Sequence, residues 1–272
     1  MKRFLWTAAL AFWGWTLRGA EPFDVAVEGP TRGDPLILQG NFTAPASSGA
    51  PVLVMIHGVG STRAEWAPLV RQAAGRGWGA LAFDLRGHGR SRATLAGKTV
   101  DYEEPRNGRN PAFWETFPGD LEQVIAALEK KTGVAQGQIV LVGASLGANV
   151  ALDVAARVKG FRALVLLSPG LEYAGINAEG PMAALATPTL LIAAEPDLYA
   201  FTSGERLRTL APPDLLTWKP LVMGTPQGAH GTQLFDGHLE GKILDWIARP
   251  PVKKAAPKKS PAKVKRCRFL VF

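Results

Sequence analysis

Three residues of this 272-residue chain are of the types that acyl transfer asks for: Ser145, Asp197 and His230. A serine hydroxyl is a poor nucleophile until a neighbouring base takes its proton. That base is normally a histidine, held in one tautomer by a carboxylate. Ser145 lies at the centre of Gly143-Ala144-Ser145-Leu146-Gly147, a G-x-S-x-G pattern. The apolar run Gln138–Val142 precedes it and a helical pattern, Ala148–Val158, follows. A serine on so tight a strand-to-helix turn exposes its hydroxyl above the sheet. Side chains two residues to either side would collide with the turn, which is why both places carry glycine.

Of the four histidines, His230 sits in a loop, Gln227–Thr232, after the last strand-like run, where it can reach the top of a sheet. His238 reads as a position inside the final helix, and His57 and His88 as turn residues held by hydrogen bonds. Ala194-Glu195-Pro196-Asp197 follows an apolar run that falls between the serine and the histidine. Asp197 is the expected acid and Glu195 the alternative. Asp84, also at a strand end, precedes Ser145 and reads as a cap on the turn around Arg86-Gly87. Attack on a carbonyl also creates an oxyanion, which needs two donors. The Leu146 N–H, at the start of a helix where partial positive charge collects, is one. The Val59 N–H, in the turn His57-Gly58-Val59-Gly60, is the expected second.

These residues need a scaffold that brings distant strand ends together. Continuous apolar runs at Val52–Ile56, Gly79–Phe83, Ala163–Leu167 and Thr189–Ala194 read as strands buried on both faces. Looser alternation gives two antiparallel strands, Phe23–Val27 and Leu36–Phe42, and a last strand is expected around Leu215–Val222. Helices are expected at about Arg63–Ala74, Pro118–Lys131, Glu205–Leu210 and Thr232–Ile247. Strands alternating with amphipathic helices imply an α/β fold, a mostly parallel sheet with helices on both faces. Sites in such sheets lie at the carboxyl ends of the strands, where the chemically interesting residues fall. Residues 92–117 read as a long irregular connection whose Phe113, Trp114 and Phe117 favour packing over a site. Residues 168–188 read as a second, shorter loop.

Composition separates the body from its ends. At 47% hydrophobic and 20% charged residues, the chain can bury an ordinary globular core. The net charge of +8 resides entirely in the tail after Pro250, which has eight Lys and Arg and no acid, so the rest sums to zero. A nucleic-acid-binding body is therefore not indicated. The Lys/Pro/Ala-rich tail, residues 251–272, is expected to be disordered, and could attach electrostatically to an anionic surface. A lone cysteine, Cys267, allows no internal disulfide and does not stand where a prenylation signal needs it. At the other end, Met1-Lys2-Arg3, an apolar run from Phe4 to Leu17 and Gly19-Ala20 have the layout of a secretory leader over residues 1–20. Arg18 sits where a small residue is preferred, which keeps an uncleaved anchor and a buried helix as rivals. The body is expected over 21–250.

With Gly143–Gly147, His57-Gly58, the run Asp84-Leu85-Arg86-Gly87-His88-Gly89-Arg90-Ser91, Asp197 and His230 in order, the chain resembles an α/β-hydrolase from about Phe23 to Pro250. The run Asp84–Ser91 is similar to the D-x-R-G-x-G-x-S turn of many members. Gly143–Val150 and Leu167–Ile176 look like those of small bacterial members near dienelactone hydrolases and carboxylesterases. The resemblance implies a sheet of about eight strands with a minimal cap. It implies Ser145 as nucleophile, His230 as base, Asp197 as its orienting acid, and no metal or organic cofactor. A serine nucleophile sets the chain apart from haloalkane dehalogenases and epoxide hydrolases, which use aspartate, and from dienelactone hydrolases, which use cysteine. The expected activity is cleavage of a small carboxylic ester through an acyl-enzyme. Thioesterase, amidase, acyltransferase, haloperoxidase and non-catalytic binding roles share the same framework.

Overall fold

A computed structural model describes residues 19–108, 110–221 and 228–250. All but the last two residues of the expected leader, and the whole basic tail, lie outside the described residues. Among the described residues no helix is long and apolar enough to cross a membrane.

The continuous apolar runs form the middle of one eight-stranded sheet. In chain order its strands are β1 (Glu21–Thr31), β2 (Asp34–Thr43), β3 (Val52–Ile56), β4 (Gly79–Phe83), β5 (Ile139–Ala144), β6 (Ala163–Leu167), β9 (Thr189–Ala194) and β10 (Leu216–Leu221). Their spatial order is β1-β2-β4-β3-β5-β6-β9-β10. The β1–β2 and β2–β4 pairs are antiparallel and the rest are parallel. Two short strands outside this sheet, β7 (Glu172–Tyr173) and β8 (Ile176–Asn177), form a separate hairpin.

Burial explains these assignments. Every residue of β3, β4, β5, β6 and β9 is buried, because helices cover both faces. In β1, by contrast, only Phe23, Val25 and Val27 are buried, at every second position. Side chains alternate across the sheet. Val54 and Ile56 of β3 join a core with helices α4 (Phe117–Thr132) and α5 (Leu146–Arg157). Leu53 and Met55 join the opposite core with α1 (Ala67–Gly75) and α8 (Leu239–Ala248). Each fully buried Leu or Val in these layers contributes about 1.5–3 kcal/mol of transfer free energy. Helix α4 ends where Gly133 takes a left-handed conformation, φ 73°, with Lys130 and Lys131 in its last turn.

Several expectations are corrected. The helix expected from Arg63 opens as a 3-10 turn, Arg63–Trp66, before α1. Residues 92–117 are not irregular throughout, since they hold α2 (Glu103–Gly108) and α3 (Pro111–Trp114), and the loop expected over 168–188 likewise holds the β7–β8 hairpin and α6 (Glu179–Ala183). The helix expected over Glu205–Leu210 is the end of a longer α7 (Leu198–Leu210). The final helix expected from Thr232 is two pieces, a 3-10 turn, Gly231–Leu234, and then α8. His238 is therefore the residue before α8, not a position inside a helix. Gly237, at φ 87°, reverses the chain between the two pieces.

Candidate active site

Ser145 joins the end of β5 to the start of α5 with φ 55° and ψ −125°. That backbone region is unfavourable to any residue with a β-carbon and costs on the order of 1–3 kcal/mol. The flanking glycines make it sterically feasible. A methyl on Gly147 would stand 2.6 Å from the His57 carbonyl oxygen and closer still to that of Ile56, and one on Gly143 would run into the Gly147 backbone. A serine just before a helix commonly spends its hydroxyl capping that helix. Ser145 makes no such bond, so the oxygen is left to the cavity. Its own N–H donates to the Leu167 carbonyl at 2.9 Å, tying the turn to the end of β6.

The structure brings Asp197 and His230 together. The imidazole Nδ1 and Asp197 Oδ2 are 2.6 Å apart, with both side chains partly buried. Asp197 follows β9 and His230 follows the segment after β10, so the two neighbouring parallel strands deliver them to the same end of the sheet. Glu195, the alternative acid, is exposed. His230 is fixed on the serine side through its neighbour: the Gly231 N–H donates to Ser168 Oγ at 2.9 Å, and a methyl on Gly231 would meet the Ala144 methyl at 3.3 Å.

Val59 and Ser145 line one cavity of about 550 Å³. Gly58 allows the Val59 turn to close on Ser145, since a β-carbon there would lie 3.1 Å from Ser145 Cβ. Leu146 is the first residue of α5, so its N–H has no partner one turn back in the helix. The other cavity walls come from Trp114 and Pro111 of α3, Arg106 of α2, and Glu172–Gly175. The turn of the hairpin Glu172–Asn177 uses left-handed conformations at Ala174 and Gly175, φ 52° and 86°. Asn149 of α5 holds that hairpin from below, donating to the carbonyls of Gly170 and Ile176 at 3.1 and 2.9 Å. Tyr199 fastens its outer edge to α7 through both backbone groups of Glu172.

The remaining strand-end residues hold the scaffold. His57 donates from Nδ1 to the Gly58 carbonyl at 2.7 Å and accepts the Leu85 N–H on Nε2 at 2.9 Å. Burial lowers its pKa to about 3, which keeps it neutral. His88 donates from Nδ1 to the Arg86 carbonyl and stacks on Tyr102 with ring centres 4.0 Å apart. Burial lowers its pKa to about 4. Asp84 does cap its turn, accepting the Arg90 N–H at 2.8 Å, and it also accepts the Arg63 N–H at 2.7 Å and pairs with the Arg63 guanidinium. Among the described residues no group of three or more His, Cys, Asp or Glu is placed to hold a metal ion.

No local sequence pattern marks Ser168 or Tyr173. Ser168 has φ 50°, the same left-handed signal as Ser145, which only coordinates reveal. The Tyr173 ring stands edge-on to the His230 imidazole, centres 6.2 Å apart. Burial pushes the Tyr173 phenol pKa up, with the Asp197 and Tyr199 charges adding to it, while a hydrogen bond with Ser145 acts against them. The phenol therefore stays protonated beside Ser145.

Known proteins share this framework. The chain is 28% identical over 165 residues to an uncharacterized protein, YfhR, of Escherichia coli strain K12, across 58% of this chain and 52% of that protein. It thus spans about half the length of the curated relative it matches. Among solved structures, it superposes on a dienelactone hydrolase from Anabaena variabilis with a TM-score of 0.61 and 18% identity, covering 86% of this chain and 99% of that one. It also superposes on an esterase from Pyrococcus furiosus with a TM-score of 0.63 and 17% identity, covering 88% and 95%. At such identities the likeness is one of fold. The sequence model of the alpha/beta hydrolase family matches residues 53–259, from β3 past the final helix, and so takes in the serine turn, the acid and the histidine loop. The chain belongs to the alpha/beta hydrolase family.

Proposed function

We propose that this protein is a serine hydrolase that cleaves small carboxylic esters through an acyl-enzyme. The observation that carries the proposal is the 2.6 Å contact between Asp197 and His230, set beside a serine whose strained turn leaves its hydroxyl uncommitted to the helix. With Nδ1 bound to Asp197, the imidazole has Nε2 free to act as base. Ser145 Oγ attacks the ester carbonyl carbon and His230 takes its proton. The carbonyl oxygen becomes an oxyanion, which accepts hydrogen bonds from the Leu146 and Val59 N–H groups. When the tetrahedral intermediate collapses, the bond to the alkoxy oxygen breaks and His230 returns the proton to the departing alcohol. Water, deprotonated by His230, then attacks the acyl-enzyme and releases the carboxylic acid, restoring Ser145.

The cavity supports a small substrate. Its volume of about 550 Å³ lies in the range for compact organic ligands. Val59, Pro111, Trp114 and Tyr173 supply apolar and aromatic wall, while Arg106 and Glu172 bring one charge of each sign. A fluorophosphonate probe tests the reading. Stoichiometric labelling at Ser145, lost in Ser145→Ala, with hydrolysis of p-nitrophenyl esters lost alongside it, is the expected result. A folded wild type that neither reacts with the probe nor cleaves any ester in a short-chain panel would count against it.

We also propose export. The positive start, the apolar run from Phe4 to Leu17 and the small pair Gly19-Ala20 support it. Sequencing the N-terminus of protein recovered from the cell envelope or medium should give a chain beginning near Glu21. An intact Met1 on cytoplasmic protein would refute export.

A further inference from the structure

Glu65 is an acid for which the proposed reaction has no use. It lies in the 3-10 turn Arg63–Trp66, four residues after Ser61 and just beyond the Val59 turn. Its Oε2 accepts from the Ser61 hydroxyl. Its Oε1 is shut off from solvent and has no hydrogen-bond partner among the described residues. The Gly58 backbone and the Thr232 side chain lie against the same carboxylate, and His230 is near enough to act on its charge. Burial pushes the Glu65 pKa up, and these partners oppose that push.

The company it keeps distinguishes Glu65 from acids with a plain structural role. Asp84 and Asp120 are buried, and each faces an arginine, Arg63 and Arg86 respectively. Glu65 instead faces two turns. One follows β3 and the other follows the segment after β10, and three strands, β5, β6 and β9, separate β3 from β10 in the sheet. No strand pairing therefore sets the distance between the two turns. The Trp66 and Phe235 rings, 6.0 Å apart, give an apolar contact nearby that carries no directional hydrogen bond. A carboxylate is well suited to the task, because it can accept from several donors at once.

We propose that Glu65 is a positioning residue that ties the oxyanion turn, Gly58–Ser61, to the histidine turn, Gly231–Leu234. It holds the Val59 N–H and the His230 imidazole at one separation. The inference rests on the serine-hydrolase reading above. Glu65 is not among the residues that line the cavity, so its loss should act on kcat and leave KM unchanged. Displacements of about an ångström in such a framework cost about 100-fold in rate.

The test uses the full chain, p-nitrophenyl acetate as substrate and a fluorophosphonate as probe of Ser145. Glu65→Met fills the space without hydrogen bonds. Glu65→Gln keeps the shape and an acceptor for Ser61. The Met variant should lose about tenfold to 100-fold in kcat and in labelling rate, with KM within about twofold of wild type. The Gln variant should keep most of the activity. A Met variant as active as wild type, a loss confined to KM, or a Gln variant that falls as far as Met would each overturn the proposal. Should Glu65→Met not fold, Thr232→Val removes the polar neighbour of this carboxylate on the histidine turn alone. A drop in kcat supports the tie and an unchanged kcat refutes it. A wild type that is not labelled overturns both readings. A labelled wild type with an equally reactive Met variant overturns this one alone.

Discussion

His230 Nδ1 lies 2.6 Å from Asp197 Oδ2, while Glu195, two residues earlier and also carboxylic, points to solvent. The geometry separates two acids that the sequence alone could only rank. Pro196 stands between them and fixes the backbone, so one faces the histidine and the other does not. Asp197→Asn should lower kcat by about 10⁴-fold, the scale for losing the acid that sets the imidazole tautomer. Glu195→Gln should stay within about twofold, as expected for an exposed side chain with no part in the site. Steady-state kinetics on one ester distinguishes the pair. A severe defect in Glu195→Gln with an active Asp197→Asn would assign the acid to Glu195 and refute the role of Asp197.

The strain at Ser145 gives a stability signature opposite to its effect on activity. Its φ of 55° with ψ −125° is open to glycine and hostile to other residues. Ser145→Gly should abolish ester hydrolysis and raise the unfolding free energy by about 1 kcal/mol as the strain is relieved. Ser145→Ala should abolish hydrolysis too, but it keeps the β-carbon and so the strain. Urea unfolding of both variants checks this. Equal midpoints for the two would mean that the turn is not strained.

How much of this was legible follows from which face of each element is buried. Strands β3, β4, β6 and β9 are legible to the residue because both of their faces are covered, which forces an unbroken apolar run. Helix α7 is legible only over its last six residues, Glu205–Leu210, for the converse reason. Its buried face is Ala200, Ser203, Gly204 and Leu207, mostly small, while Leu198 and Tyr199 are exposed. The apolar periodicity there points the wrong way. Gly204 is small because the Trp218 ring occupies the space a β-carbon would need. Helices α2 and α3, six and four residues long, are too short to show a period at all. Within the site, Ser145, Asp197 and His230 could be found because each follows a strand. Ser168, Tyr173 and Glu65 act through contacts between segments far apart in sequence, and no local pattern marks them.

Two glycines with opposite surroundings test the steric account of the serine turn. Gly147 has carbonyl oxygens of Ile56 and His57 in the place a methyl would take, and both belong to backbone that cannot rotate away. Gly147→Ala should therefore cost more than about 4 kcal/mol, or prevent folding, the size reserved for forced backbone shifts. Gly119 lies in the first turn of α4 with nothing within 4 Å of its would-be β-carbon and no left-handed φ. Gly119→Ala should stabilise by about 0.4–1 kcal/mol by restricting the unfolded chain. Thermal melts of the two variants against wild type should move in opposite directions.

The two buried histidines predict how stability depends on pH. His57 and His88 have pKa values lowered to about 3 and about 4 by burial, while an unfolded histidine titrates near 6.5. Between those values the unfolded chain binds protons that the native state refuses. Their contribution is therefore present above pH 6.5 and is lost as pH falls toward 4 for His88 and 3 for His57. Each histidine supplies a slope of up to about 1.4 kcal/mol per pH unit. Glu65 and Asp120, whose pKa values burial raises, work the other way, because their folded forms take up protons first as the carboxylate range is approached. The histidine effect is thus cleanest from pH 6.5 down to about 5, above the bulk of carboxylate titration. Urea unfolding at pH 7, 6 and 5 should show stability falling across that window. In His88→Gln the slope should shrink by one histidine's share, about half of the pair's total. A wild-type stability that is flat from pH 7 to 5 would mean that these imidazoles take up protons as readily in the native state as in the unfolded one, and that His57 cannot be the neutral acceptor that holds the Leu85 N–H.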